Sequence, residues 1–531
     1  MSAKLHTVHV RVNDAATGQP TPCRVRFTDA EGTYYAPFGR LPEFAKGIAQ
    51  DVGGNLLLGQ EQFAYIDGAC EIRLPPGQIT VRISKGPEYT PIRETLELSP
   101  GKLALRFEIS RWVDLRRQGW YSGDVFARFL SPHAALLEGA AEDLAVVNLL
   151  AAEYESWDLT PRQNISALEL EYPDRLAGQR EYRERKHEHV SNILAFSGKV
   201  PALEVPGHLV VVNTFNHHPT LGHLALLNCH RIVFPLKFGG TDESDDWTLT
   251  DWCDQCHRKG GLVVGLNAFK GVLDHHQEIL ADCLLGKVDA LMAMDDLAID
   301  QCAELHRSCL ALWSALLSCG IRIPLVGGSG KASNCDLLGN TRTYAKLLTD
   351  EPFTYQNWIE AVRAGRTFVT TGPIISLEVD GQGPGSVVDL ARASQAVRVR
   401  AEAWATSELE SLEVIVNGNV VRSVQPAARE TTVVLEFETE LAESSWLVAR
   451  CGGPYNWPRF SRLAAISSPI YVQVAGRPVK TDSTTIAALS RDLDYMLEWA
   501  KHKARCHDKH RERFASIFRS AKEELLKRST V

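Results

Sequence analysis

Apolar and polar residues alternate with a period of two along the first 110 residues, in TVHVRV, CRVRFTD, CEIRL, ITVRIS and LALRFEI, with NDAATG, AEG and PPGQ between them. That period places successive side chains on opposite faces of an extended chain, and the Gly, Pro, Asn and Asp clusters read as turns. The pattern predicts an antiparallel β-sandwich over residues 1–110. From Trp112 the period changes. HAALLEGAAEDLAVVNLL and IDQCAELHRSCLALWSALLSCG repeat apolar residues at helical spacing, and short apolar runs such as GLVVGL, VDALMAM and RIPLVGG alternate with them.

Strands alternating with helices predict βα units around a parallel sheet, closed or partly closed, over residues 111–372. Residues 170–206 are rich in Arg, Glu, Lys and His without a clean period, and read as a connecting segment over the barrel mouth. Alternation returns in IISLEVDG, AVRVRAEAWA, TTVVLEFET and SPIYVQVAG, which predicts a second β-sandwich over 373–476 with Asn417-Gly418-Asn419 as a hairpin turn. Residues 477–531 carry three-four spacing with charges opposite and read as a helical tail. The fold class expected is therefore α/β, a (β/α) barrel flanked by two β-sandwich domains and a C-terminal helical segment.

Composition narrows the partners. The 531 residues are 44% hydrophobic, enough for more than one cored domain, and the net charge of −8 with no basic stripe argues against nucleic acid. The densest basic stretch, Lys501–Lys527, is interspersed with acids and reads as a solvated helix face. No run of eighteen apolar residues occurs, so no membrane partner is expected, and MSAKLHTVHVRVND lacks the apolar core of a secretory signal. A cytoplasmic location is the expectation, with the cysteines as reduced thiols; Cys283, Cys302, Cys309 and Cys319 stand at apolar positions.

Candidate chemistry concentrates between Val210 and Gly265, where His and Cys side chains stand between two apolar runs, VVV and GLVVG. In α/β proteins the chemistry sits at the C-terminal ends of the strands. Cys253-Asp-Gln-Cys256-His257 matches the spacing of a haem attachment site, but no second CxxC completes a zinc site and the stretch fits a helix entering the GGLVV strand. GGSGKASN, residues 327–334, lacks phosphate-loop spacing; as a βα loop with Lys331 it offers amides and a cation to an anion.

The segments GWYSGD, NTFNHHPTLGHLALLNCHR, DWCDQCHRKGGLVV, LADCLLGKVDA and GRTFVTTGP resemble the metal-dependent hydrolases of the PHP superfamily, in its CehA/McbA-like branch, over about residues 111–381. The resemblance implies a distorted PHP-type (β/α) barrel and a transthyretin-like N-terminal sandwich. It also implies a metal site, and there this chain departs from the pattern. Phe126 and Arg128 stand where the family has a His-x-His pair, Phe215 replaces a histidine, Gly330 an aspartate, and Asn267 lies near a further missing histidine. Asp124, His218, His223, His230, His276 and Glu278 remain.

Of these, His223, His276 and Glu278 are the expected ligands if one residual divalent metal ion binds; otherwise no cofactor is expected. Arg128, His218, His223 and Lys331 are the candidate catalytic groups, and Asp124, Phe126, Phe215, Asn267 and Gly330 the candidate ligand contacts. The favoured reading is a homologue with impaired or lost hydrolysis and a retained cleft for a small anionic or polar ligand, an active paralogue or a second copy of itself. The alternatives are an active metal-dependent hydrolase of phosphoester, carboxyester or carbamate bonds, and a metal-independent enzyme using the same cleft.

Overall fold

The apolar runs of the central region are strands of one large sheet. A computed structural model describes residues 5–50, 53–153, 191–239, 244–266, 277–294, 309–456 and 461–528, with seven α-helices among them. The central strands are β1 (Trp120–Ala127), β2 (Val146–Ala151), β3 (His208–His218), β4 (Gly222–Leu227), β5 (Leu262–Leu266), β6 (Ala290–Ala293), β7 (Leu325–Gly327), β8 (Arg342–Lys346) and β9 (Thr367–Thr370). They lie in the order β7-β6-β5-β4-β3-β2-β1-β8-β9.

β1, β2 and β3 are parallel, as are β5, β6 and β7, and β4 runs back between the two sets. Beyond β7 the chain returns to β1: Ala127 and Lys331 form a parallel bridge, and the Arg128 amide donates to the Lys331 carbonyl at 2.8 Å. The sheet therefore curls, and the C-terminal ends of β1, β3, β5, β6 and β7 fall along one rim.

Five helices accompany these strands: α1 (Pro132–Ala141), α2 (Leu249–Arg258), α3 (Glu278–Leu284), α4 (Cys309–Ser318) and α5 (Tyr355–Arg363). A capping box between Thr248 and Asp251 starts α2. Trp358 of α5 is fully buried against Gly123 of β1, where an added Cβ would come within 2.4 Å of the indole ring.

The helical spacing expected through HAALLEGAAEDLAVVNLL ends early. α1 stops at Ala141, Asp143 turns through φ 55°, and Val146–Ala151 is strand β2. Every residue of β2 is buried, so the run has no polar face from which a period could be read, and its paired valines favour the strand.

The strands between His6 and Ile109 form a three-stranded and a six-stranded sheet around a core that includes Val10, Phe27, Ile72 and Val81. After β9 the central sheet continues without a break at residue 372, through Ser461–Ser467, Ser445–Asn456, Ser411–Val416 and Asn419–Val424. A three-stranded sheet of Ile374–Val379, Gln395–Trp404 and Thr432–Leu441 shares a core with it. Asn417 and Gly418, both at positive φ, make the turn between Val416 and Asn419. Two long helices, α6 (Ser483–His502) and α7 (Asp508–Lys527), pack together through the rings of Trp499 and Phe514, 5.6 Å apart, and against α3.

Buried charge joins the N-terminal sheets to this body. Arg24 pairs with Glu142 at 2.8 Å, Arg111 pairs with Glu88 at 2.6 Å and with Asp143 at 2.9 Å, and Arg116 reaches Asp143 at 3.0 Å. Lys85 donates to the Ala140 carbonyl at 2.7 Å, and Arg342 of β8 donates to the Glu142 carbonyl at 2.8 Å. Burial alone would raise the pKa of Asp143, but Arg116, Arg111 and Lys85 outweigh it and hold the carboxyl at about 2.

Asp143→Asn leaves the half-buried Arg116 without its carboxylate and Arg111 with Glu88 alone, and is expected to lower the unfolding free energy by ~3–5 kcal/mol in urea titration. Because the folded pKa lies below the unfolded value near 3.8, this contribution is complete above pH ~4 and is lost as pH falls toward 2. The acid limb of the stability curve is expected to be shallower in the variant; equal limbs would show that Asp143 does not carry it.

Candidate functional site

Strand parity decides which side chains meet at the rim. On β3, Phe215 and His217 point to one face and Asn216 and His218 to the other, and His217 lies directly opposite His223 of β4. Phe215 stacks on the His217 ring at 4.9 Å and meets the His223 ring edge-on at 5.6 Å, and the two imidazoles are themselves 5.6 Å apart.

Phe126, at the end of β1, stacks on Phe215 at 5.5 Å. Arg128 follows two residues on, with its guanidinium carbon 4.4 Å from the centroid of Phe126 and 5.7 Å from that of Phe215. Its Nη2 donates to the Gly330 carbonyl at 3.1 Å. Gly330 is in the left-handed region at φ 66°, and a Cβ there would stand 2.9 Å from Met294 Cε. The rim thus brings together Phe126, Arg128, Phe215, His223 and Gly330, with His217 and Met294 added.

The cluster is a cation on an aromatic platform. Both phenylalanines are buried, whereas Arg128 and His223 are half-buried. A guanidinium over a ring face gains roughly 0.5–2 kcal/mol, and it is permanently charged. His217 Nε2 lies 2.8 Å from the Glu153 carbonyl, which only accepts, so that nitrogen carries the proton. Burial pushes the His217 pKa well below its ordinary value, with His223 adding to the effect, so the ring is neutral at pH 7.

Four other residues grouped with the cleft by sequence are held elsewhere. His218 faces away from His223: its Nδ1 accepts from the amides of Thr220 and Leu221 at 3.2 Å, and its Nε2 lies 3.3 Å from Asp245 Oδ1. Asp245 also accepts from the Arg505 amide at 2.8 Å, which ties the end of β3 to the α6–α7 connection. Asp124 is fully buried and accepts from the amides of Phe126, Ser329 and Gly339 at 2.9, 3.0 and 2.9 Å, besides the Ser329 hydroxyl. It pins the end of β1 to the 327–339 loop, and burial raises its pKa.

Lys331 is fully buried, with Nζ 3.2 Å from the Glu138 carboxylate of α1 and donating to the carbonyls of Ser333 and Asp336. The rest of its loop docks on the N-terminal part: the Leu57 amide donates to the Asn334 carbonyl at 2.8 Å, and Asn334 Nδ2 donates to the Ala45 carbonyl at 2.7 Å. GGSGKASN is therefore a packing loop whose cation answers α1. Glu278 is the fourth. Its two oxygens accept the Leu249 and Thr250 amides at 3.0 Å each, capping the first turn of α2, and burial raises its pKa to about 7.

Asn267 and His276 lie outside the described residues. His230 is exposed and bonded to the Lys259 carbonyl. Cys253 and Cys256 are buried on α2, and Cys256 Sγ lies 3.4 Å from that of Cys229 rather than in a CxxC centre. Among the described residues no group of three His, Cys, Asp or Glu side chains is placed to hold a metal ion together. His217 is the rim residue that sequence reasoning passed over, although its parity with Phe215 marks it.

No protein-family model matches the chain, and no curated protein matches it.

Glu278→Gln replaces one accepting oxygen by an amide that cannot accept from α2, and is expected to cost ~1–3 kcal/mol of stability. The raised carboxyl favours its protonated form in the folded state, so wild-type stability falls as pH rises from about 4.5 through about 7. Urea midpoints at pH 5 and pH 8 are expected to differ less in the variant. Equal differences would remove Glu278 as the titrating group.

Proposed function

We propose that this chain is a PHP-type, CehA/McbA-like metallohydrolase homologue in which the strand-end cleft has exchanged metal chelation for recognition of a small anionic or polar ligand. On this reading the curled central sheet is a distorted (β/α) barrel of that family, flanked by a sandwich over residues 1–110 and by a second one over 373–476 that is continuous with the central sheet. The observation that carries the reading is the seat of Arg128 over Phe126 and Phe215, at the positions where the family resemblance calls for imidazoles. A fixed guanidinium opposes an incoming cation and attracts a phosphate, sulfate or carboxylate, which accepts its paired N–H groups. The His223 imidazole beside it can donate an N–H to the same ligand, whereas His217, whose proton is engaged by the Glu153 carbonyl, serves as part of the wall.

An active paralogue or a second copy of this chain is the macromolecular partner consistent with a cleft that binds without turning over. The location proposed is cytoplasmic; among the described residues no helix is long and apolar enough to cross a membrane.

Calorimetric titration of the full chain with sulfate, and separately with Mn2+ and Zn2+, tests the exchange. Sulfate is expected to bind the wild type and to lose at least tenfold in affinity in Arg128→Ala, while neither metal binds as a cluster. The double variant Phe126→His, Arg128→His is expected to gain metal affinity. Two or three metal ions bound by the wild-type rim, or unchanged sulfate affinity in Arg128→Ala, would overturn the reading.

A further inference from the structure

At the other end of β7, away from the rim, a cavity of about 440 Å³ opens between the segment after α4, the strand Ile470–Val474 and the last turn of α7. Its walls are of two kinds. Leu317, Tyr471, Val472 and Val479 line it with apolar residues, and Arg322, Arg477 and Arg528 line it with cationic ones. Among the described residues none of these three arginines forms an ion pair with a carboxylate. The one acid in the lining, Glu524, is paired with Lys527 at 2.5 Å.

Each arginine is positioned in its own way. Arg322 sets its guanidinium 5.1 Å from the centroid of the Tyr471 ring. Arg528 donates through Nη1 to the Cys319 carbonyl at 3.2 Å, and its buried Nε finds no hydrogen-bond partner among the described residues. Arg477 is exposed at the mouth, on the turn that follows the strand, and its carbonyl accepts from the Ser444 hydroxyl at 2.6 Å.

We propose that this cavity is a binding site for an organic phosphate, with the phosphate held by Arg322, Arg477 and Arg528 and an apolar body lying against Tyr471 and Val479. Among the described residues these three cations share one cavity with no carboxylate paired to them, Glu524 being engaged by Lys527, and a dianion answers their charge while accepting paired donors from planar guanidinium groups. Inorganic phosphate alone leaves most of the volume empty. A cavity of this size with apolar walls and a few convergent polar groups suits a small organic molecule.

Phenyl phosphate, titrated calorimetrically into the full chain, is the probe. Inorganic phosphate, benzyl alcohol and 3-phenylpropionate serve as comparisons, and the same titrations in Arg128→Ala separate this site from the rim. Phenyl phosphate is expected to bind Arg128→Ala as it binds the wild type, at least tenfold more tightly than any comparison compound. Arg322→Ala, Arg477→Ala is expected to weaken it at least tenfold, and the corresponding double lysine variant to recover most of the loss. Because both side chains are exposed, the melting temperature of the double alanine variant is expected to stay at the wild-type value. Equal binding of benzyl alcohol, tighter binding of 3-phenylpropionate, or unchanged affinity in the double alanine variant would each overturn the proposal.

Discussion

Burying a carboxylate is tolerable only when a cation or a set of amide donors arrives with it, and at the end of α1 this condition is met by arginines from separate parts of the chain at once. Glu142 and Asp143 receive Arg24 and Arg111 from the N-terminal part, Arg116 from the connection into β1, and Arg342 from β8 on the Glu142 carbonyl. The same short stretch launches β2, so the arginines and lysine that neutralise it also fix where the first parallel pair of strands begins. One turn earlier, Glu138 accepts the Gly54 amide at 2.9 Å and pairs with Lys331, which extends the constraint to the loop after β7. Positions as far apart in sequence as 24 and 342 are thus held to one point by charge.

Downstream of that point, the rim owes its character to strand parity. Once β3 and β4 are in register, His217 must face His223 and His218 must face Asp245. The aromatic ladder Phe126, Phe215, His217 then forms a continuous platform on which Arg128 rests, and Gly330 leaves room beside it for Met294 and for its own carbonyl to meet the guanidinium. The acidic groups near this rim answer backbone amides instead: Asp124 closes a loop and Glu278 caps a helix. Each carboxylate used in this way is one fewer available to a cation.

What could be read from the sequence divides along physical lines. Phe126, Arg128 and Phe215 end apolar runs, and a residue that ends a buried strand of a parallel sheet has few places to be other than the rim. The choice between His217 and His218 depends on register, which two adjacent histidines leave ambiguous because a one-residue slip exchanges the faces. The destinations of Lys331 and Glu278 depend on partners 193 and 29 positions away, at Glu138 and Leu249, and no local pattern encodes such pairings. Strand β2 was hidden for a related reason: complete burial erases the alternation by which a strand is recognised.

The sheet that carries the rim does not end with β9, and this bears on how such a protein changes over evolutionary time. β9 is paired on one side to β8 and on the other to Ser461–Ser467, so the two neighbouring units share backbone hydrogen bonds and not merely a surface. Parting them would leave two long strand edges with unanswered amides and carbonyls, which invite pairing between chains. A whole module can therefore be exchanged with least disruption on the N-terminal side, where the sheets are separate from the central one, while the C-terminal part shares the central sheet and moves with it as a single piece.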